Sequence, residues 1–421
     1  MSISSPPEYA LLLDAITPAW DTPRNRVGWD DATWDRVLRL AAWHRLSPML
    51  YRHLSRRRVA PSRVVDALEE AYFSNAARNL FIGASLRRVL EALADAKVPA
   101  MPLKGAALFE SDYPEPALRE MLDLDILVPS ERLDAANTAL AAIGYRPLSS
   151  PRSERETHAW MRVNHHHDPA LVDDHQIAAV ELHHHVAMAE ERKHFDIAGM
   201  WERARPTAGP PPHLLPSRED LLLHVCLHFT RSRLGGSYRH GGSGGALAQL
   251  SDIAWIIGAP GARELDWDAL IAAARLYRID ARVFLALFAA HELGVAGARQ
   301  ALREMCPPGF DPRLGRRLVA LRVLRGSRGF PVRRLSWMIA PSRDVLAKGW
   351  RGDPHDPLSL VRAYVRRARA QAPLARAALK NPWSVVQDYR LNDEVAALEQ
   401  TRARRELRAQ ERTDANSESA R

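Results

Sequence analysis

Between Met121 and Val128 the chain reads Met-Leu-Asp-Leu-Asp-Ile-Leu-Val, and Pro129 ends the run. Read as a β-strand, this places Asp123 and Asp125 on one face and Leu122, Leu124 and Ile126 on the other. The apolar face demands burial. The acidic face poses a problem, because two neighbouring carboxylates repel and each favours its protonated form unless a cation lies between them. A hard divalent ion is the usual remedy, and Mg²⁺ takes one or two protein carboxylates together with substrate phosphate oxygens. The bland alternative is a solvated acidic edge, which is what most bare Asp-x-Asp pairs are. The surroundings have to decide.

They favour chemistry. Val98-Pro-Ala-Met-Pro-Leu103 is short and apolar, holds two prolines, and therefore reads as an edge strand. It ends at Lys104-Gly105, where a strand-to-helix junction exposes backbone N–H groups suited to phosphate. Only five of the 59 basic residues are lysines, so compositional bias does not account for Lys104, which can serve a triphosphate as a point charge. Arg119 lies four positions before Asp123 and has two readings: a phosphate contact, or a structural ion pair to Asp123 or Asp125. Residues 158–187 read as a hairpin with arms at Met161–His167 and Ile177–Val186, placing Glu181 mid-strand, where it can complete a three-acid cradle.

Helical signals surround this segment. Trp34, Val37, Leu38 and Ala41 follow a helical period, Ser62 can cap a second helix, and apolar spacing returns through Leu86, Val89, Leu90 and Leu93. Ser130 is expected to cap a helix running to Ile143, with Gly144 as its terminator. Ser217 can cap Leu221–Arg231, and helices are expected at 246–257, 266–277 and 280–292. Residues 235–245 hold six glycines and read as a mobile loop, and a frayed tail is expected from about Gln400. Two cysteines, Cys226 and Cys306, make no disulfide framework and fit a reducing compartment. With neither a secretory leader nor an apolar span of membrane length, the expected location is cytoplasmic.

Three strings together carry a resemblance: Pro102-Leu-Lys-Gly-Ala-Ala-Leu108, Leu118-Arg-Glu-Met-Leu-Asp-Leu-Asp-Ile-Leu-Val-Pro129 and Val180-Glu-Leu-His-His184. They resemble the uncharacterised nucleotidyltransferase family of bacterial biosynthetic clusters, within the DNA polymerase β-type superfamily. The likeness extends to Glu219–His228, Leu250–Trp255 and Asp266-Trp267, covering about residues 30–295. It implies an α+β fold, with a mixed β-sheet core flanked by N-terminal and C-terminal helical regions. The expected divisions are 1–97 helical, 98–200 nucleotidyltransferase-like core, 201–310 helical, 311–395 basic helical and 396–421 tail. It further implies that Asp123, Asp125 and Glu181 hold two Mg²⁺ ions with an NTP co-substrate, while Lys104, Gly105, Arg119 and His183 contact the nucleotide. The chain departs from the superfamily in having Lys104-Gly105 where Gly-Ser is usual, and His184 where the family has Trp.

The histidines have several readings. His165-His-His167 and His183-His-His185 lie on opposite hairpin arms, so alternate members share a face; zinc is conceivable, but neighbours within a run point oppositely and no cysteine lies near. His183 shares the face of Glu181 and can reach substrate. His224 and His228 lack the Glu of a hydrolase motif and read as core or hydrogen-bonded residues. Residues 311–380 carry 17 Lys/Arg against four acids, and this block can bind nucleic acid. Three functions therefore compete: a nucleotidyltransferase acting on a small molecule, sugar, peptide or protein; a nucleic-acid-binding regulator; and a toxin-like enzyme that nucleotidylates tRNA.

Overall fold

The structure is a computed structural model and describes residues 6–18, 28–55, 59–148, 158, 161–163, 165–175, 178–188, 191–234 and 245–324. The chain divides into two compact units, one of residues 1–230 and 244–306, the other of residues 231–243 and 307–421. In the second unit, Asp311 caps the helix Pro312–Val319 by accepting from the Arg313 backbone N–H at 2.8 Å. The glycine tract before Gly245, the rest of the basic block and the tail lie outside the described residues. Among those described, no helix is long and apolar enough to cross a membrane.

The first unit opens with four helices: α1 (Pro7–Ile16), α2 (Asp31–His44), α3 (Ser47–Ser55) and α4 (Ser62–Asp95). Asp30 caps α2 through the Thr33 N–H. The two apolar stretches expected on either side of residue 80 belong to one 34-residue helix, α4. Its only glycine, Gly83, sits against the Phe109 ring, so the helix continues where a break was expected.

A five-stranded mixed sheet follows, in the order β1-β2-β5-β4-β3. β1 (Met101–Pro102) is its edge and leads into α5 (Lys104–Ser111); β2 (Asp123–Leu127) leads through a 3₁₀ turn into α6 (Leu133–Ala142). Gly144 ends that segment at φ +93°, a conformation glycine tolerates best. β3 (Arg146–Pro147), β4 (Leu171–Val172) and β5 (Ala179–His183) complete the sheet. β2 and β5 run parallel, while the other pairs are antiparallel.

The expected hairpin is corrected. Residues 161–163 are helical, and β5 pairs instead with β4, at a position expected to be loop. Only His167 of the proposed first arm joins β5, through a bridge to His183. Asp168 explains the break: its buried carboxylate takes Arg162, His158 and Asn137 side chains, which anchors the chain by side-chain bonds where a ladder was expected.

The core lies on the apolar face of the sheet. Leu124 and Ile126 of β2 and Val180 and Leu182 of β5 pack with Ile82, Leu86, Val89 and Leu93 of α4 and with Leu133 and Leu140 of α6. Burying so many large side chains, each worth about 1.5–3 kcal/mol, fixes which face of β2 points inward. The carboxylate face is left for other work. Beyond the sheet come helices at Arg218–Phe229, Ala246–Gly258, Trp267–Leu276 and Asp280–Glu292, the first capped by Ser217 as its sequence suggests.

Candidate active site

The register of the sheet assembles the site. β2 and β5 run in parallel with Asp125 opposite Glu181, so both carboxylates project from the same face. His183 lies two residues beyond Glu181 and shares that face. Its Nε2 stands 2.8 Å from Asp125 Oδ1 and 3.7 Å from Glu181 Oε2. Candidate ligand atoms of Asp125, Glu181 and His183 all lie within 4.8 Å of one another. Asp123 opens β2, exposed, at the margin of this group.

Lys104 arrives from the turn between β1 and α5, which the Leu103 N–H ties to the Asp125 carbonyl at 2.9 Å. Its backbone holds φ +45°, a left-handed conformation costing about 1 kcal/mol for a side-chain-bearing residue. The strained turn delivers its Nζ to Asp125 Oδ1 at 2.6 Å.

Charge runs unevenly through the group. Burial opposes ionisation of Asp125, but Lys104 and the His183 hydrogen bond hold its carboxyl well below the usual range. Burial also disfavours charge on Lys104 and His183; their acidic neighbours prevail and raise both. Glu181 stays below its ordinary value, burial being outweighed by the His183 hydrogen bond. Asp123 is the exception. Its carboxyl reaches water at the surface, yet the dense protein around it, then the Asp125 charge, push it up to about 6. Negative charge is therefore under-compensated at Asp123, and the oxygen-rich donor set fits a hard divalent cation.

Arg119 and Gly105 have a different arrangement from the one expected. The Arg119 guanidinium grips Asp252 with Nε at 2.8 Å and Nη2 at 3.0 Å, so the ion pair falls on neither Asp123 nor Asp125. Tyr113 donates its hydroxyl to the same Asp252 carboxylate at 2.9 Å. Gly105 lies directly beneath that guanidinium, and a Cβ there would overlap it. Close approach to Arg119 thus accounts for the glycine without any phosphate.

Second-layer partners were invisible in the sequence. On α4, Asn75 donates to the Ala117 carbonyl at 2.7 Å, Asn79 to those of Pro116 and Arg119 at 2.6 and 2.7 Å, and Arg78 to that of Met121. The segment leading into β2 is therefore held by its main chain. Polar residues at 75, 78 and 79 on a helix otherwise facing the core were the available signal. His224 is buried, with ring nitrogens that meet no hydrogen-bond partner among the described residues, while His228 pairs with Gln249 at 2.8 Å.

A family described as an uncharacterised nucleotidyltransferase matches residues 30–294, which include every one of these side chains. No curated protein and no solved structure matches the chain.

Proposed function

The chain belongs to this uncharacterised nucleotidyltransferase family, and we propose that it moves a nucleoside monophosphate from an NTP to a hydroxyl-bearing acceptor at the Asp123–Asp125–Glu181 face. The observation that supports this reading most is the register that sets Asp125 beside Glu181, with Lys104 on the same carboxylate. Asp125 and Glu181, with His183 and the marginal Asp123, would hold divalent cations such as Mg²⁺. When bound, such ions neutralise the triphosphate and lower the pKa of the acceptor hydroxyl.

The protein's own groups do the rest. Lys104 is the cation nearest the carboxylates and takes a phosphate oxygen as a point charge. Glu181, partly open to solvent and held ionised, accepts the acceptor's hydroxyl proton. A new bond forms between that oxygen and the α-phosphorus, and the bond to pyrophosphate breaks. His183 keeps Glu181 and Asp125 oriented through its Nε2. Arg119 anchors the segment before β2 to Asp252 and in this reading serves the scaffold.

Acceptor classes remain a small molecule, sugar, peptide, protein or RNA, the last favoured by the positive charge of 311–380. The test is to incubate the protein with each labelled NTP, Mg²⁺ and cell extract. Asp123→Asn removes an under-compensated charge while keeping side-chain shape, and transfer should fall by about two orders of magnitude or more. Equal labelling by wild type and variant would sink the assignment.

A further inference from the structure

The histidine run at 165–167 is the motif that the transfer reading leaves unused, and the sheet brings one member of it into the site. His167 bridges His183 in antiparallel register, so the two imidazoles share a face, and that face is the one carrying Glu181. Their ring centroids lie 5.2 Å apart. His167 Nδ1 lies 2.7 Å from the Asp168 carbonyl, which fixes the proton on that nitrogen and leaves the Nε2 lone pair free. That Nε2 stands 3.8 Å from Glu181 Oε2. His183 Nε2 is 3.7 Å from the same oxygen and 2.8 Å from Asp125 Oδ1.

We propose that Asp125, Glu181, His183 and His167 form a mixed nitrogen–oxygen centre that selects a first-row transition-metal ion over Mg²⁺. Bonds of about 2.1 Å place neighbouring donors about 3.0–3.4 Å apart around one ion, and the three separations above straddle that range. Mg²⁺ is reluctant to exchange its oxygen shell for imidazole, whereas manganese, iron, cobalt and zinc accept two imidazoles with carboxylates. The Asp168 carbonyl behind His167 is the kind of outer partner that orients a metal-binding imidazole. The inference rests on the transfer reading only in that it names the ion of the same site.

Pulsed electron paramagnetic resonance of the full chain loaded with Mn²⁺ reads the ligands directly. Nitrogen couplings of coordinated imidazole are expected, and their absence overturns the proposal. Titration calorimetry with Mn²⁺, Co²⁺ and Mg²⁺ should give the first two at least tenfold tighter binding than Mg²⁺; equal affinities also overturn it. His167→Gln, at a position less enclosed than His183, should weaken Co²⁺ at least tenfold and leave Mg²⁺ unchanged, with folding checked by circular dichroism. Unchanged Co²⁺ binding by that folded variant counts against the centre. The two readings fail separately. Nucleotide labelling with Mg²⁺ and no imidazole coupling overturns this centre alone, and imidazole coupling without labelling under any metal overturns the transfer alone.

Discussion

Asp123 and Asp125 look equivalent in a string, and the structure makes them opposites. Asp125 is enclosed by Lys104 and His183, so Asp125→Asn strips a buried ammonium of its partner and should destabilise the fold by about 3 kcal/mol, measured by urea unfolding. The sequence alone suggested that removing both charges would relieve repulsion; that relief belongs to Asp123 only. Lys104→Met on the Asp125→Asn background should recover much of the loss, because both members of the pair are then neutral. For Asp123 the sign runs the other way. Its folded value, about 6, exceeds the ordinary carboxyl value of 3.8, so its protonated form favours the native state and that advantage disappears as pH rises from 3.8 through 6. Asp123→Asn should therefore raise the melting temperature of the metal-free protein above pH 6, by about 2 °C after allowance for solvent screening. Below pH 3.8 the wild type and variant should melt alike.

Among elements, β2, α5 and α6 were legible because their signals are local: alternation, a proline-punctuated strand end, and a glycine terminator at φ +93°. The hairpin arm at 161–167 was not, since Asp168 competes for that stretch with side-chain bonds no periodicity reveals. Gly105 was legible as a special position but for the wrong cause. Its neighbour in space, Arg119, is 14 positions away in sequence, and the partner of Arg119, Asp252, is a further 133 away. Gly105→Ala should displace that guanidinium from Asp252 and cost about 2–3 kcal/mol in thermal or chemical unfolding. A wild-type melting curve for Gly105→Ala would return the glycine to a phosphate-binding role.

At the scale of the whole chain, the charge and the candidate site occupy different units, with Asp123, Asp125 and Glu181 in one and residues 311–380 in the other. Replacing Arg313, Arg316 and Arg317 with Gln should lower the log–log salt slope of single-stranded RNA binding by about 2, at roughly 0.7 per phosphate contact. Titration of Mn²⁺ should be unaffected by the same change. Within the first unit, α4 holds the lead-in to β2 by carbonyl groups, which every amino acid supplies. Such a grip is indifferent to side-chain identity at Leu122, which is 43% exposed one position before Asp123. Selection can therefore rewrite what an incoming acceptor touches there while the carboxylates stay in register, and a single scaffold can acquire new clients by drift at its rim.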